Sequence, residues 1–240
     1  MKRIKKIFMI KIENTEVYGW EAAIRGMRNP MNSWDKSDSD NKRWCKNLGE
    51  NEKPHYCNNC GYDFCNYNEE DAVFVIGEND LNLMKNLVKS GSDHSKFMRM
   101  ITVTLDVTAP LYWWKEYDTY KIGTVRNSCS TMHKIAEKEF TLDDFSHEHL
   151  CEHSMRALKR VIDVLNIERN NYSISKKKWA WWQMIQLLPS SYNQRATLQL
   201  NYAVLRNMYH SRKNHKLDEW HDFCSWIESL PYAKELICDD

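Results

Sequence analysis

Three absences narrow the possibilities before any residue is singled out. Net charge is almost nil: 34 lysines and arginines stand against 33 aspartates and glutamates, a formal +1 over 240 residues. No global field therefore draws the chain to nucleic acid or to an anionic membrane, although a local basic pocket stays open. Long hydrophobic runs are missing too. The longest uncharged apolar stretch, Trp179 to Leu188, carries two glutamines and is too short to span a bilayer. The apolar run Ile7 to Ile10 behind the basic start is stopped by Lys11, far short of a signal-peptide core. A soluble, cytoplasmic protein is expected, with no membrane partner and no strong nucleic-acid signal. The third absence is of motifs. There is no phosphate-cradling P-loop, no GxGxxG and no HExxH. Neither is there an internal repeat or low-complexity tract.

What is present is a mixture of short apolar periods. Ile4 to Ile12 reads as a strand, and Glu16 to Asn29 as a short helix around Ala22, Ala23, Ile24 and Met27. DLNLMKNLVKSG reads as a helix with Asp80 as its N-cap and Gly91 as its stop. The β-branched alternation of ITVTLDVTAP reads as a strand ended by Pro110, and LYWWKEYDTYKIG returns to a helical period. Thr141 and Asp144 have capping-box spacing ahead of a helix over about His147 to Asn166, and KKWAWWQMIQLL is a further helix. From Leu198, the residues Leu200, Tyr202, Val204, Leu205, Met208 and Tyr209 fit one more helical stripe, and DEWHDFCSWIESL closes on Pro231. A single α+β domain over 1–240 is expected, helix-rich with a small, mainly antiparallel sheet.

Three clusters carry candidate chemistry. Between about 30 and 68 the composition turns to Asn, Asp, Ser, Lys and Gly with little periodicity, which reads as an irregular Cys-rich insert. Its Cys57-Asn-Asn-Cys60-Gly61 turn has the shape of half a zinc site, and Cys45, Cys65 and His55 can complete it. Ordinary reduced thiols, zinc ligands and a redox pair all fit these cysteines, and the insert is also a candidate surface for a protein partner. The second cluster, residues 113 to 134, mixes aromatics with Lys115, Glu116, Lys121, Arg126, Ser128, Cys129, Ser130 and His133 around Gly123. That composition suits a loop meeting an anionic or planar ligand, such as a nucleotide. In the third, Asn201, Arg212 and His215 recur by whole helical turns and share a polar edge, with Asn207 between them. Amides, a guanidinium and an imidazole can hold phosphate and heterocycle edges; the bland alternative is a solvated helix face.

The order of features from Asp80 to Pro231 resembles the flavin-dependent thymidylate synthases. LMKNLVKSG, Phe97, ITVTLDVTAP and LYWWKEY follow one another as in that family. Leu188-Pro189, Arg195, Asn201, Asn207, Arg212 and His215 then match its later features in order and spacing. The resemblance implies that Asn201, Asn207 and His215 hold a flavin, FAD, and that Arg212 meets the phosphate of dUMP. The family's arginine-rich signature is eroded: counted from Ala-Pro without a gap, Lys121 stands at its second Arg and Thr124 at its first Ser, while a one-residue shift matches Asn127 and Ser130 instead. Neither register restores the paired arginines, and a lysine is only a point charge in place of a bidentate guanidinium. Lys121 and Arg99 are the basic candidates on the cofactor side, and Glu116 and Ser130 stand with Arg212 on the substrate side. The expectation is a diverged, homo-oligomeric scaffold that binds a nucleotide, a small molecule or a protein without full catalysis. The alternative is active FAD-dependent methylation of dUMP with methylene-tetrahydrofolate.

Overall fold

Two alternating strands organise the larger part of the protein. In Thr102–Pro110 (β5) Val103, Leu105, Val107 and Ala109 are buried, and in Asn193–Asn201 (β7) Gln194, Ala196, Leu198 and Leu200 are. Successive side chains of a strand point to opposite faces, so each strand offers one apolar and one polar row. The two pair antiparallel along their whole length, from Thr102 opposite Asn201 to Pro110 opposite Asn193. Lys11–Tyr18 (β1) adds to β5 with a bulge between Glu13 and Glu16, and Val125–Ser128 (β6) adds to β7, giving the antiparallel order β1-β5-β7-β6. On the polar row Asp106 accepts hydrogen bonds from Arg195, Thr197 and Asn14 at 2.8, 2.5 and 2.8 Å.

The computed structural model describes residues 9–44, 56–57 and 72–239. Its contacts divide into two compact units, one of residues 1–18 with 102–239 and one of residues 19–101. The first holds the four-stranded sheet and most helices: Leu111–Tyr117 (α3), Thr131–Lys134 (α4), Glu152–Ser175 (α5), Lys178–Leu187 (α6), Tyr202–Arg212 (α7) and Asp218–Glu228 (α8). Its main core is aromatic. Trp113 of α3 lies 4.9 Å, centroid to centroid, from both Trp114 and Trp220, with Tyr117 and Phe223 beside it. A second core joins Phe140 and Phe145 to Leu158, Ile162 and Leu165 of α5 and Met184 of α6.

The second unit contains Trp20–Arg28 (α1), Glu78–Lys89 (α2) and a small antiparallel sheet in which Asp40–Trp44 (β2) lies between Tyr56–Cys57 (β3) and Ala72–Val75 (β4). A buried ion pair ties it together. Arg28 Nε donates to Asp80 at 2.6 Å, and Asp80 also accepts from the hydroxyls of Ser37 and Ser39 at 2.7 and 2.6 Å.

Several expectations need correcting. Asp80 is not the N-cap of α2; Gly77 holds that place, and the Asp80 carboxylate is spent on Arg28. The stretch expected as an irregular insert contains β2 and β3, because pairing with β4 supplies order that its polar composition does not announce. Among the described residues the first strand starts at Lys11, with Met9 and Ile10 before it in a bend; the Ile4 to Phe8 part of the expected strand lies outside the described residues. The long helix α5 runs from Glu152 to Ser175, later at both ends than the period suggested. Leu198 and Leu200 belong to a strand, not to a helical stripe. Among the described residues no helix is long and apolar enough to cross a membrane.

Candidate functional site

The strand β7 delivers the site by ending at Asn201. There the buried positions change from every second residue, Ala196, Leu198 and Leu200, to the helical spacing of Tyr202, Leu205 and Met208. Asn201 is the residue at the change: it is the N-cap of α7, and its side-chain oxygen accepts from the Val204 N–H at 3.1 Å. This satisfies one of the free donors that open any helix. The loop from α3 to β6 lies along the same helix. A side chain at Gly123 would meet Val204 and the Asn201 amide at 3.0 and 3.2 Å, and the backbone there has φ +75°. Glycine tolerates both.

At the other end of α7 Arg212 is held from three sides. Its Nη1 donates to Glu116 at 2.9 Å, its Nε donates to the Tyr120 hydroxyl at 2.9 Å, and its guanidinium carbon lies 4.9 Å from the Trp220 ring centroid. The Arg212 side chain is only 15% exposed and that of Glu116 42%. Beyond the helix end, the His215 N–H donates to the Arg212 carbonyl at 2.9 Å, and the imidazole Nδ1 accepts from the Leu217 N–H at 3.2 Å. On that geometry the ring proton belongs on Nε2, for which the described residues supply no acceptor.

The structure thus brings together Arg212, His215 and Glu116 at the end of α7, while Asn201 caps its start, roughly 16 Å away along the axis, with exposed Lys121 in the loop that runs between the two ends from Tyr120 to Gly123. Asn207 is exposed and, at roughly 100° per residue, stands about 140° around the helix from Arg212. Arg99 is exposed on a short 3-10 turn of the second unit. Ser130 caps α4, accepting from the His133 N–H at 3.1 Å, and lines a separate cavity of about 450 Å³ with Arg195, Lys134, Lys138 and Tyr192. Neither Tyr120 nor Trp220 stands out in the sequence as a partner for Arg212. The signal for Arg195 lay in the alternation of β7, which puts it on the polar row.

One electrostatic pattern runs through these positions. Arg212 pairs with Glu116, Arg126 with Asp118 at 2.7 Å, and Arg195 with Asp106 at 2.8 Å. Lys134 pairs with Glu137 and Lys138 with Asp144. Burial pushes up the pKa of the Tyr192 hydroxyl, whose residue lines the second cavity. As for the cysteines, Cys45, Cys60 and Cys65 lie outside the described residues, and only the backbone of Cys57 is described. Among the described residues no three His, Cys, Asp or Glu side chains gather as metal ligands would.

No family model matches the chain, and no curated protein matches it. Solved structures do. Thymidylate synthase X from Helicobacter pylori, solved with FAD and dUMP, superposes with a TM-score of 0.61 over 95% of this chain and 97% of its own, at 15% identity. The chain has the flavin-dependent thymidylate synthase fold. A second structure of the Helicobacter pylori enzyme with FAD and dUMP gives the same TM-score at 14% identity. The UMP/dUMP methylase PolB from Streptomyces cacaoi, bound with 5-Br UMP, shares the fold over 68% of this chain and 82% of its own, with a TM-score of 0.50 and 16% identity. The α+β expectation of a helix-rich protein with a small antiparallel sheet therefore holds, and with it the expected resemblance to this fold.

Proposed function

We propose that this chain uses the thymidylate synthase fold to bind a pyrimidine nucleotide and does not carry thymidylate synthesis through. The observation behind this reading is the pairing of the candidate cations. Arg212, Arg126 and Arg195 each already face a carboxylate of the same chain, at 2.9, 2.7 and 2.8 Å. A phosphate entering here must displace an aspartate or glutamate from a guanidinium, so its contact is an exchange rather than a net new bond. Tight, differential stabilisation of a transition state is hard to build from exchanges. The paired arginines of the family signature are absent as well: counted without a gap, Thr119 and Thr131 stand at its first and later arginines and Lys121 at its second.

The residues read as flavin ligands offer donors of the right kind. With its oxygen capping α7, Asn201 still offers its amide N–H groups; His215 offers Nε2–H, and exposed Asn207 offers a whole amide. Such donors suit the carbonyl and phosphate acceptors of FAD, which when bound supplies the reducing equivalents for a transferred methylene. In this reading Asn201, Asn207 and His215 orient the flavin by hydrogen bonds, with Lys121 as a point charge for its phosphates; Arg99, in the other unit, has no part in it. Arg212, released by Glu116, meets the phosphate of dUMP, and the Ser130 cavity with Arg195 is the second place for the nucleotide. A homo-oligomer is part of the proposal.

The second reading, an active FAD-dependent methylation of dUMP, is favoured by one observation: the match to an enzyme solved with FAD and dUMP extends over nearly the whole of both chains. The two separate in one experiment. Purified protein is reconstituted with FAD, dUMP binding is measured by calorimetry, and tritium release from 5-tritiated dUMP is followed with methylene-tetrahydrofolate and a two-electron reductant for the flavin, NADPH or dithionite, present. Nucleotide binding without tritium release is the expected result. Sustained release establishes the second reading, and absence of both nucleotide and flavin binding removes the first.

A further inference from the structure

The near-neutral net charge conceals a segregation. From Arg169 to Leu217, 49 residues, there are nine lysines and arginines and no aspartate or glutamate. Three of those cations are consecutive: Lys176 and Lys177 form the turn between α5 and α6, and Lys178 opens α6; Lys176 takes the left-handed conformation at φ +52° and ends the longer helix. The inward faces of both helices are already used, by Leu158, Ile162, Leu165 and Met184. The tip nevertheless carries apolar side chains that the core does not need. Ile174 is 87% exposed, Trp179 53% and Trp182 42%. The lysines lie against rings: Lys178 Nζ is 5.8 Å from the Trp182 centroid and Lys176 Nζ 5.9 Å from that of Tyr172. Cation–π contacts at such distances help orient the ammonium groups.

We propose that the α5–α6 tip is a docking surface for an anionic lipid bilayer, with Lys176, Lys177 and Lys178 against lipid phosphates and Ile174, Trp179 and Trp182 in the headgroup boundary. Tryptophan beside lysine is the composition that settles at a membrane interface, where the ring has an apolar body and a polar edge. The most exposed large apolar residue of the tip is an aliphatic isoleucine, which gains from hydrocarbon and has nothing to offer a stacked base. That favours lipid over a single-stranded nucleic acid, whose recognition rests on aromatic platforms. The chain as a whole carries no attractive charge, so attachment is local, and three lysines with a few apolar side chains give reversible, salt-sensitive binding.

The test uses the full chain and vesicles of phosphatidylcholine with or without phosphatidylserine, in co-sedimentation at low and high salt. Binding is expected only to the anionic vesicles, and salt weakens it. Each lysine near such a surface contributes roughly fivefold. The triple variant Lys176→Gln, Lys177→Gln, Lys178→Gln is thus expected to lose about 100-fold in partitioning. An Ile174→Ser, Trp179→Ser variant, altered only at exposed positions, also loses binding while its circular dichroism stays unchanged. Four results overturn the proposal. The first is failure of the wild type to bind anionic vesicles, and the second is undiminished binding by the triple variant. The third is an Ile174→Ser, Trp179→Ser change that dissociates an oligomer, which makes the tip a contact between copies. Oligothymidylate bound through the same lysines more tightly than the vesicles equally overturns it in favour of nucleic acid.

Discussion

Replacing Glu116 by glutamine addresses the claim that in-chain carboxylates compete with the nucleotide. The Glu116 carboxylate accepts one hydrogen bond from Arg212, at 2.9 Å, with the arginine side chain 15% and the glutamate 42% exposed. A hydrogen bond to a charged group contributes roughly 1.5–3 kcal/mol. Glutamate exposure screens it toward the surface range, leaving about 1 kcal/mol. The Tyr120 hydroxyl and the Trp220 ring stay in place, so the guanidinium keeps its position while losing its rival for a phosphate. At 1.4 kcal/mol per decade, the Glu116→Gln variant should bind dUMP about fivefold more tightly in titration calorimetry. The gain should narrow as salt rises, because it is electrostatic and partly exposed. It should also vanish in an Arg212→Ala background, a double-mutant cycle that isolates the pair. Equal or weaker binding by Glu116→Gln, or a gain that persists without Arg212, would refute the reasoning.

Three further expectations concern stability and reactivity. Asp80→Asn leaves the buried Arg28 without its anion and should cost about 3–5 kcal/mol in urea unfolding. Burial alone would raise the pKa of the Asp80 carboxyl, but hydrogen bonds from Ser39, Ser37 and Arg28 outweigh it and hold the pKa below the ordinary value. Its contribution is therefore complete above that ordinary value and is lost as pH falls through the lowered folded one, so wild type and variant should converge in strong acid. Gly19→Ala places a methyl 2.1 Å from the Met100 carbonyl oxygen at φ +92°, and should lower stability by about 2 kcal/mol or more, read as a drop in Tm. Hydrogen bonding from Ser154 and nearby backbone N–H groups lowers the pKa of exposed Cys151, while burial pushes Cys224 up to about 12. Iodoacetamide at neutral pH should label Cys151 well before Cys224 in peptide mapping; the reverse order would contradict that contrast.

Local patterns carried a good part of the fold. The alternation in ITVTLDVTAP, the capping box of Thr141 and Asp144, and the glycine after α2 all read out directly, because each depends on residues within a few positions. The same kind of pattern misled between Arg195 and Met208. Ala196, Leu198 and Leu200 repeat every second residue and Tyr202, Leu205 and Met208 at helical spacing, yet a single helical template absorbs the last strand residues because the two periods share apolar positions. Asn201 at the junction, a favoured cap residue, was the available sign of the change. The strands β2 and β4 were less legible, since their order comes from pairing across about thirty intervening residues.

The candidate site divides in the same way. Sequence alone selected Asn201, Arg212 and His215, through spacing and through resemblance to a family. It also showed that the signature arginines were absent. Only the tertiary structure revealed that Glu116 and Tyr120 of α3 and its following loop reach Arg212, that Ser130 opens on another cavity, and that Arg99 belongs to the other unit. The physical reason is range. Periods, caps and turns are settled by neighbours along the chain, whereas a guanidinium's partner is settled by whichever carboxylate the fold carries to within hydrogen-bond distance, here from 96 residues away.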